Sequence, residues 1–99
     1  MPEQQQLEID LARITAVDVS QVKKHYSDDF NLSVIIDHGD GYEVCTYTAD
    51  ESREDGWELT NNTGVLDTFS EAFTNYGWHL DLYFGKTYAE AHPEEQENK

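Results

Sequence analysis

Five carboxylates crowd into the nine residues DESREDGWE: Asp50, Glu51, Glu54, Asp55 and Glu58, with Arg53 the one cation among them. Carboxylates at such density serve three kinds of chemistry: holding a hard cation, acid–base work by a pair of carboxyls, or recognition of a positively charged partner. A calcium loop fails on spacing. With Glu51 at its first position Gly56 falls correctly at the sixth, but Arg53 then takes a ligand position and Asn62 stands where a bidentate Glu belongs. Starting from Asp50 puts Gly56 one residue late. A glycosidase-like pair is uninformative, because any two of 21 acids can lie at a suitable separation.

The other chemistry-bearing residues are equally plain. His25, His38, His79 and His92 form no HExxH and accompany no CxxC, so zinc has no ligand set. Cys45 sits between Glu43 and Tyr47 on a strand-like run, which suits an inert buried thiol rather than an activated thiolate. There is no glycine-rich phosphate loop and no GxSxG. The expectation is a protein without catalytic residues, cofactor or metal. The turn DHGDGYE gathers a second group of acids, Asp37, Asp40 and Glu43.

Charge is the strongest signal. The 99 residues carry 21 acids against six Lys and Arg, a net charge of -15, well beyond the magnitude of about 2 to 8 that keeps a small domain in solution. The ends do not cause it: residues 7–88 hold 16 acids and five Lys or Arg, a net charge of -11. Self-repulsion of this size opposes compaction, which points to a partner or a solvent as its reason. Phosphate backbones and anionic membranes are repelled by the same field. A salt-adapted surface and a solvated acidic loop are the two readings that need no partner. The single Cys45 fits a reducing compartment, no apolar run approaches the ~18 residues of a spanning helix, and MPEQQQLEID lacks the features of a signal peptide. A cytoplasmic location is expected.

The elements that must position these acids make one domain of residues 7–88 between polar ends, 1–6 and 89–99, both expected to fray. LEIDLARITAVDVSQVKKHY fits a strand or a short helix. FNLSVIIDHGDGYEVCTYT reads as a β-hairpin with Asp40-Gly41 as a two-residue turn, so that Asp37 faces Val44, Ile36 faces Cys45 and Val34 faces Tyr47. Phe30, Leu32, Val34 and Ile36 then share a core face with Cys45 and Tyr47. VLDTFSEAFTNYG repeats apolar residues at helical spacing, with Asn62 or Thr63 as cap and Gly77 as stop, and WHLDLYF alternates as a returning strand. The fold class is α+β: a small antiparallel sheet built on a central β-hairpin, packed against one main amphipathic helix. Phe69, Phe73, Trp78 and Phe84 are assigned to the core, and Trp57, Tyr42 and Tyr83 fall outside it.

LSVIIDHGDGYEVCTYTADES followed by VLDTFSEAFTNYGW resembles the hairpin, acidic connection and aromatic-rich helix of the small acidic anti-CRISPR proteins that inhibit Cas9 of type II-A systems. The resemblance covers roughly residues 32–78 as a pattern of elements. It implies that acidic residues occupy the place where Cas9 arginines read the PAM, and hence a partner-binding set of Asp37, Asp40, Glu43, Asp50, Glu51, Glu54 and Asp55. Trp57 and Glu58 join this set as neighbours of the acidic run. The function expected is a non-enzymatic acidic inhibitor that mimics nucleic acid, of phage origin, blocking the DNA-binding site of a basic protein such as a CRISPR effector. The alternative is an acidic structural or adaptor protein that contacts partners through Trp57 and a sheet edge.

Overall fold

The computed structural model describes residues 17–52 and 56–93. Four strands run in sequence order as an antiparallel meander: β1 (Val22–Ser27), β2 (Asn31–Asp37), β3 (Tyr42–Ala49) and β4 (Trp57–Leu66). A 3-10 turn at Val19–Gln21 leads into β1. After β4 the chain enters α1 (Phe69–Phe84), which packs across β2 and β3, and ends in the single turn α2 (Tyr88–Ala91). The α+β class and the one main helix agree with the sequence.

The β2–β3 hairpin has its register two residues away from the expected one. Asp37 pairs with Tyr42, Ile35 with Val44, Val34 with Cys45 and Leu32 with Tyr47, leaving His38–Gly41 as the loop. The His38 N–H donates to the Gly41 carbonyl at 2.9 Å, and Gly39, at φ 90°, supplies the left-handed residue expected of Asp40-Gly41. Gly41 has a different reason to be glycine: a Cβ there would collide with Val65 Cγ1 and stand 2.6 Å from the Leu66 carbonyl oxygen. Because the slip is even, side-chain faces are conserved. Leu32, Val34, Ile36, Cys45 and Tyr47 still form one buried cluster, with Val17, Val22 and Trp57 against it. Phe30 is the exception, lying 67% exposed in the β1–β2 turn.

The opposite face is buried as well. Ile35 and Val44 pack with Ala72, Tyr76 and Leu80 of α1 and Ala91 of α2, flanked by Tyr26, Tyr42, Leu66, Phe84 and Tyr88. Five consecutive residues of β2, Leu32 to Ile36, are buried, because this strand has a hydrophobic layer on each side. At the two hydroxyl positions of this interior, Ser33 and Thr46 lie 2.6 Å apart and satisfy each other.

The helix is where local pattern misleads most. Residues 57–66 form β4 rather than a loop and helix start, so Asn62 and Thr63 lie in a strand. The cap is Thr68, whose hydroxyl accepts the Glu71 N–H while Glu71 reaches back to the Thr68 N–H, a reciprocal pair worth about 1 kcal/mol. Gly77 does not stop the helix, and the expected strand 78–84 is its second half. Ala72, Tyr76, His79 and Leu80 make a buried stripe at steps of three and four residues, and this stripe carries the chain through Gly77. The helix ends at Gly85, at φ 66°, whose N–H donates to Asp81 O at 3.1 Å.

Residues 89–92 are not a free tail. Ala91 and His92 are buried, His92 Nε2 lies 3.0 Å from the Tyr76 hydroxyl, and its ring stacks on Tyr88 at 4.4 Å. Of the ends expected to fray, 1–6 and 89–99, residues 1–6 and 94–99 lie outside the described residues, as does the first half, 7–16, of the ambiguous segment 7–26, whose second half carries the 3-10 turn and most of β1.

The two glycines give a direct check by urea unfolding. Gly77→Ala, in open helical space, is expected to stabilise by about 0.5–1 kcal/mol. Gly41→Ala, which meets a strand backbone, is expected to destabilise by about 1–3 kcal/mol.

Candidate functional site: an acidic surface at two ends of the sheet

The meander sorts the candidate acids into two groups. Asp37, Asp40 and Glu43 lie at the β2–β3 turn, while Asp50, Glu51 and Glu58 lie where β3 passes into β4, at the other end of β3. Seven residue steps along β3 separate Tyr42 from Ala49, roughly 23 Å at about 3.3 Å per step. The two acidic groups of the sequence are therefore two separate patches. Glu54 and Asp55 lie outside the described residues.

Each patch has its own local chemistry. Asp37 accepts the Gly39 N–H at 2.8 Å and stands 4.0 Å from Lys23 Nζ on β1. Glu43 is half-buried and lies 2.8 Å from His38 Nε2, while Asp40 is exposed at the turn. At the far end Asp50 accepts both the N–H and the hydroxyl of Ser52, and its own N–H donates to Gly56 O at 2.8 Å, which closes the turn out of β3. Glu51 and Glu58 are exposed beside it.

The far patch also contains two acids that sequence reasoning missed. Asp28 and Asp29 form the β1–β2 turn, in which Asp28 Oδ1 accepts the N–H groups of Phe30 and Asn31, both at 2.8 Å. The Ala49 N–H donates to Phe30 O at 2.8 Å and ties this turn to the start of the β3–β4 connection. The signal was present in SDDFN, an acidic turn ahead of a β-rich run, but it is readable only once VKKHYS is recognised as a strand.

Positive charge is segregated. Lys23 and Lys24 lie on β1, one edge of the sheet, and Lys86 follows α1; the span 57–84, comprising β4 and α1, carries Glu58, Asp67, Glu71 and Asp81 with no Lys or Arg. Ion pairs joining two described residues are Lys23–Asp37 and His38–Glu43. Asp29, Asp40, Glu58, Asp67 and Asp81 thus have no cationic partner among the described residues.

Phe84 packs on the helix-side core as expected, but other aromatics exchange places. Trp57 packs against the Leu32, Val34 and Ile36 cluster, and Tyr42 stacks edge-on to Phe69 at 5.4 Å. Trp78, assigned to the core, is 65% exposed, and Phe69 and Phe73 are each partly exposed.

Two buried groups are chemically quiet. Burial first, and the Glu43 carboxylate second, push the Cys45 thiol up to about 12, so it stays protonated at neutral pH. His79, also buried, has its pKa lowered by loss of solvent. Its Nδ1 lies 2.5 Å from Thr46 Oγ1, so Ser33, Thr46 and His79 form one hydrogen-bonded chain whose direction is set by the ring's tautomer. Among the described residues no group of three or more His, Cys, Asp and Glu is arranged to hold a metal ion, and no helix is long and apolar enough to cross a membrane. No family model, curated protein or solved structure proved similar to the chain.

His79 and His25 both have lowered pKa values, the latter through burial and then the nearby His92 charge. An unfolded histidine near 6.5 binds a proton that the folded one refuses, so each group's contribution is present above that pH and is lost as pH falls through it. A His79→Leu variant is expected to be about 1–3 kcal/mol less stable at pH 7, since the buried Thr46 hydroxyl loses its hydrogen-bond partner on α1. Its penalty should shrink toward pH 5.5 in parallel urea titrations with the parent protein. Native Cys45 should resist iodoacetamide at pH 8 and react once urea unfolds the chain.

Proposed function

We propose that this protein is a non-enzymatic acidic inhibitor that presents carboxylates in place of nucleic-acid phosphates and occupies the DNA-binding site of a basic protein. The observation that carries this reading is the excess of carboxylates over cations held at fixed positions on a folded body, where Asp29, Asp40, Glu58, Asp67 and Asp81 are exposed with no cationic partner among the described residues. The turn acids Asp28, Asp29, Asp50 and Glu51 make one patch, and Asp37, Asp40 and Glu43 the other. A separation of roughly 23 Å fits within one DNA helical turn of about 34 Å, so both patches can meet arginines that ordinarily grip one duplex. Arginine pairs with carboxylate through two parallel charge-assisted hydrogen bonds, as it does with phosphate.

The anti-CRISPR resemblance makes a Cas9-type effector the first target to test, within the cytoplasm of a phage-infected cell. The acidic connection after the hairpin remains, although it leads into β4 and the helix runs past Trp78 to Phe84. An adaptor docking through Trp57 is less well supported, since that ring packs against the sheet.

The test is competition. Guide-loaded Cas9 and two unrelated basic DNA-binding proteins are titrated with this protein in the presence of labelled duplex. Displacement of DNA is expected, weakening at least tenfold as salt rises from about 50 to 200 mM. Neutralising Asp28, Asp29, Asp50 and Glu51 to their amides should weaken it by a further tenfold or more. Binding indifferent to both salt and these substitutions would remove the mimicry.

A further inference from the structure

An open groove of about 410 Å³ runs between β4 and α1, lined by Asn61, Asn62 and Thr63 on one side and Asn75, Trp78 and Leu82 on the other. Trp78 and Leu82 are 65% and 70% exposed and lie four residues apart on α1, so ring and aliphatic chain form one continuous apolar strip. Apolar exposure of this kind beside a concave surface marks a contact site.

The charges around the groove choose its occupant. Glu58 pairs with Thr48, whose hydroxyl donates to Asn31, which in turn reaches Tyr83 O; Glu58 therefore stands on the helix side of β4, near the C-terminal end of α1. Glu71 begins the helix at the other end, and Asp81 is three residues from Trp78. No Lys or Arg lies on either element. Nucleic acid and acidic peptides are repelled by this set. A second copy brings the same -15 charge, and its β4 offers an edge interrupted by irregular register at Glu43/Cys45 and Thr46/Tyr47, which disfavours strand-to-strand pairing.

We propose that the groove receives an extended, arginine-bearing segment of the basic partner, with a guanidinium stacked on the face of Trp78. Tryptophan is the strongest aromatic host for a cation, and the ring's exposure leaves its face accessible. Asn61, Asn62 and Asn75 line the groove with amides; Asn75 Nδ2 donates to Glu71 O and Asn62 Oδ1 accepts the Gly64 N–H, which leaves the Asn75 oxygen and the Asn62 amide N–H groups for the segment's backbone. This inference rests on the reading of the protein as a ligand of basic proteins, and it makes the β4–α1 side, rather than Trp57, the anchoring face.

The probe is a peptide of alternating arginine and alanine, followed by NMR of the full chain, with alternating glutamine and alanine as control. The arginine peptide should shift the Trp78 indole resonance and the side-chain amides of Asn61 and Asn75, and leave the Trp57 indole in place. Trp78→Ala should weaken it about tenfold and Leu82→Ser several-fold, both at exposed positions that leave the fold intact. Shifts confined to the turns at Asp28–Asn31 and Asp50–Ser52, unaffected by Trp78→Ala, would overturn the groove while sparing the acidic-inhibitor reading. Absence of arginine-peptide binding at low salt would sink both. Self-association in sedimentation that Trp78→Ala abolishes would overturn the groove in favour of a second copy.

Discussion

Everything positioned in this molecule depends on the pairing of β2 with β3. Val34 and Cys45 meet on one face and Ile35 and Val44 on the other, and each pair anchors a separate hydrophobic cluster. A slip of one residue would send each set to the wrong layer, whereas a slip of two keeps the faces and changes only the turn. The register that is observed gives the loop His38–Gly41 and places Gly41 under the last residues of β4. Strand four, and the helix that follows it, take their position from that close approach.

The buried polar atoms follow the same pair of strands. Ser33 and Thr46 are wholly buried, and they are tolerated because a neutral His79 on α1 completes the chain of hydroxyls. This bridge gives the helix a specific seat that hydrophobic contact alone does not specify. On the other flank of α1, Tyr76 meets His92, and Tyr88 packs between Phe73 and His92. The short α2 is thereby held on the same layer as the main helix.

Function, in this reading, uses what the core leaves outside. A meander sends alternate turns to opposite ends, so acidic turns after β1 and β3 share one end and the turn after β2 takes the other. Net repulsion within each patch is a cost that the two buried clusters offset, and a basic partner relieves it. With Lys23 and Lys24 on the β1 edge and Lys86 just past α1, β4 and α1 themselves carry carboxylates and no Lys or Arg.

The amino-acid order alone determined the acidic character, the hairpin faces, the mixed α+β class and the buried thiol, because these follow from composition and from alternation over a few residues. The hairpin could be read since Leu32, Val34 and Ile36 must share a side whatever the turn. Strand β4 could not: WELTNNTGVL is largely exposed and has little apolar alternation, and it becomes a strand only by hydrogen bonding along β3. The fate of Gly77 and of WHLDLYF was likewise settled in three dimensions. Both a strand and a helix accommodate Trp78, Leu80, Leu82 and Phe84 locally, and burial of Tyr76, His79 and Leu80 against Ile35, Val44 and Thr46 selects the helix. The same selection turned Trp57 inward and Trp78 outward, and the strand order set the two acidic groups at opposite ends of the sheet. Proximity across the sheet is a property of register, which depends on contacts between residues far apart in the chain.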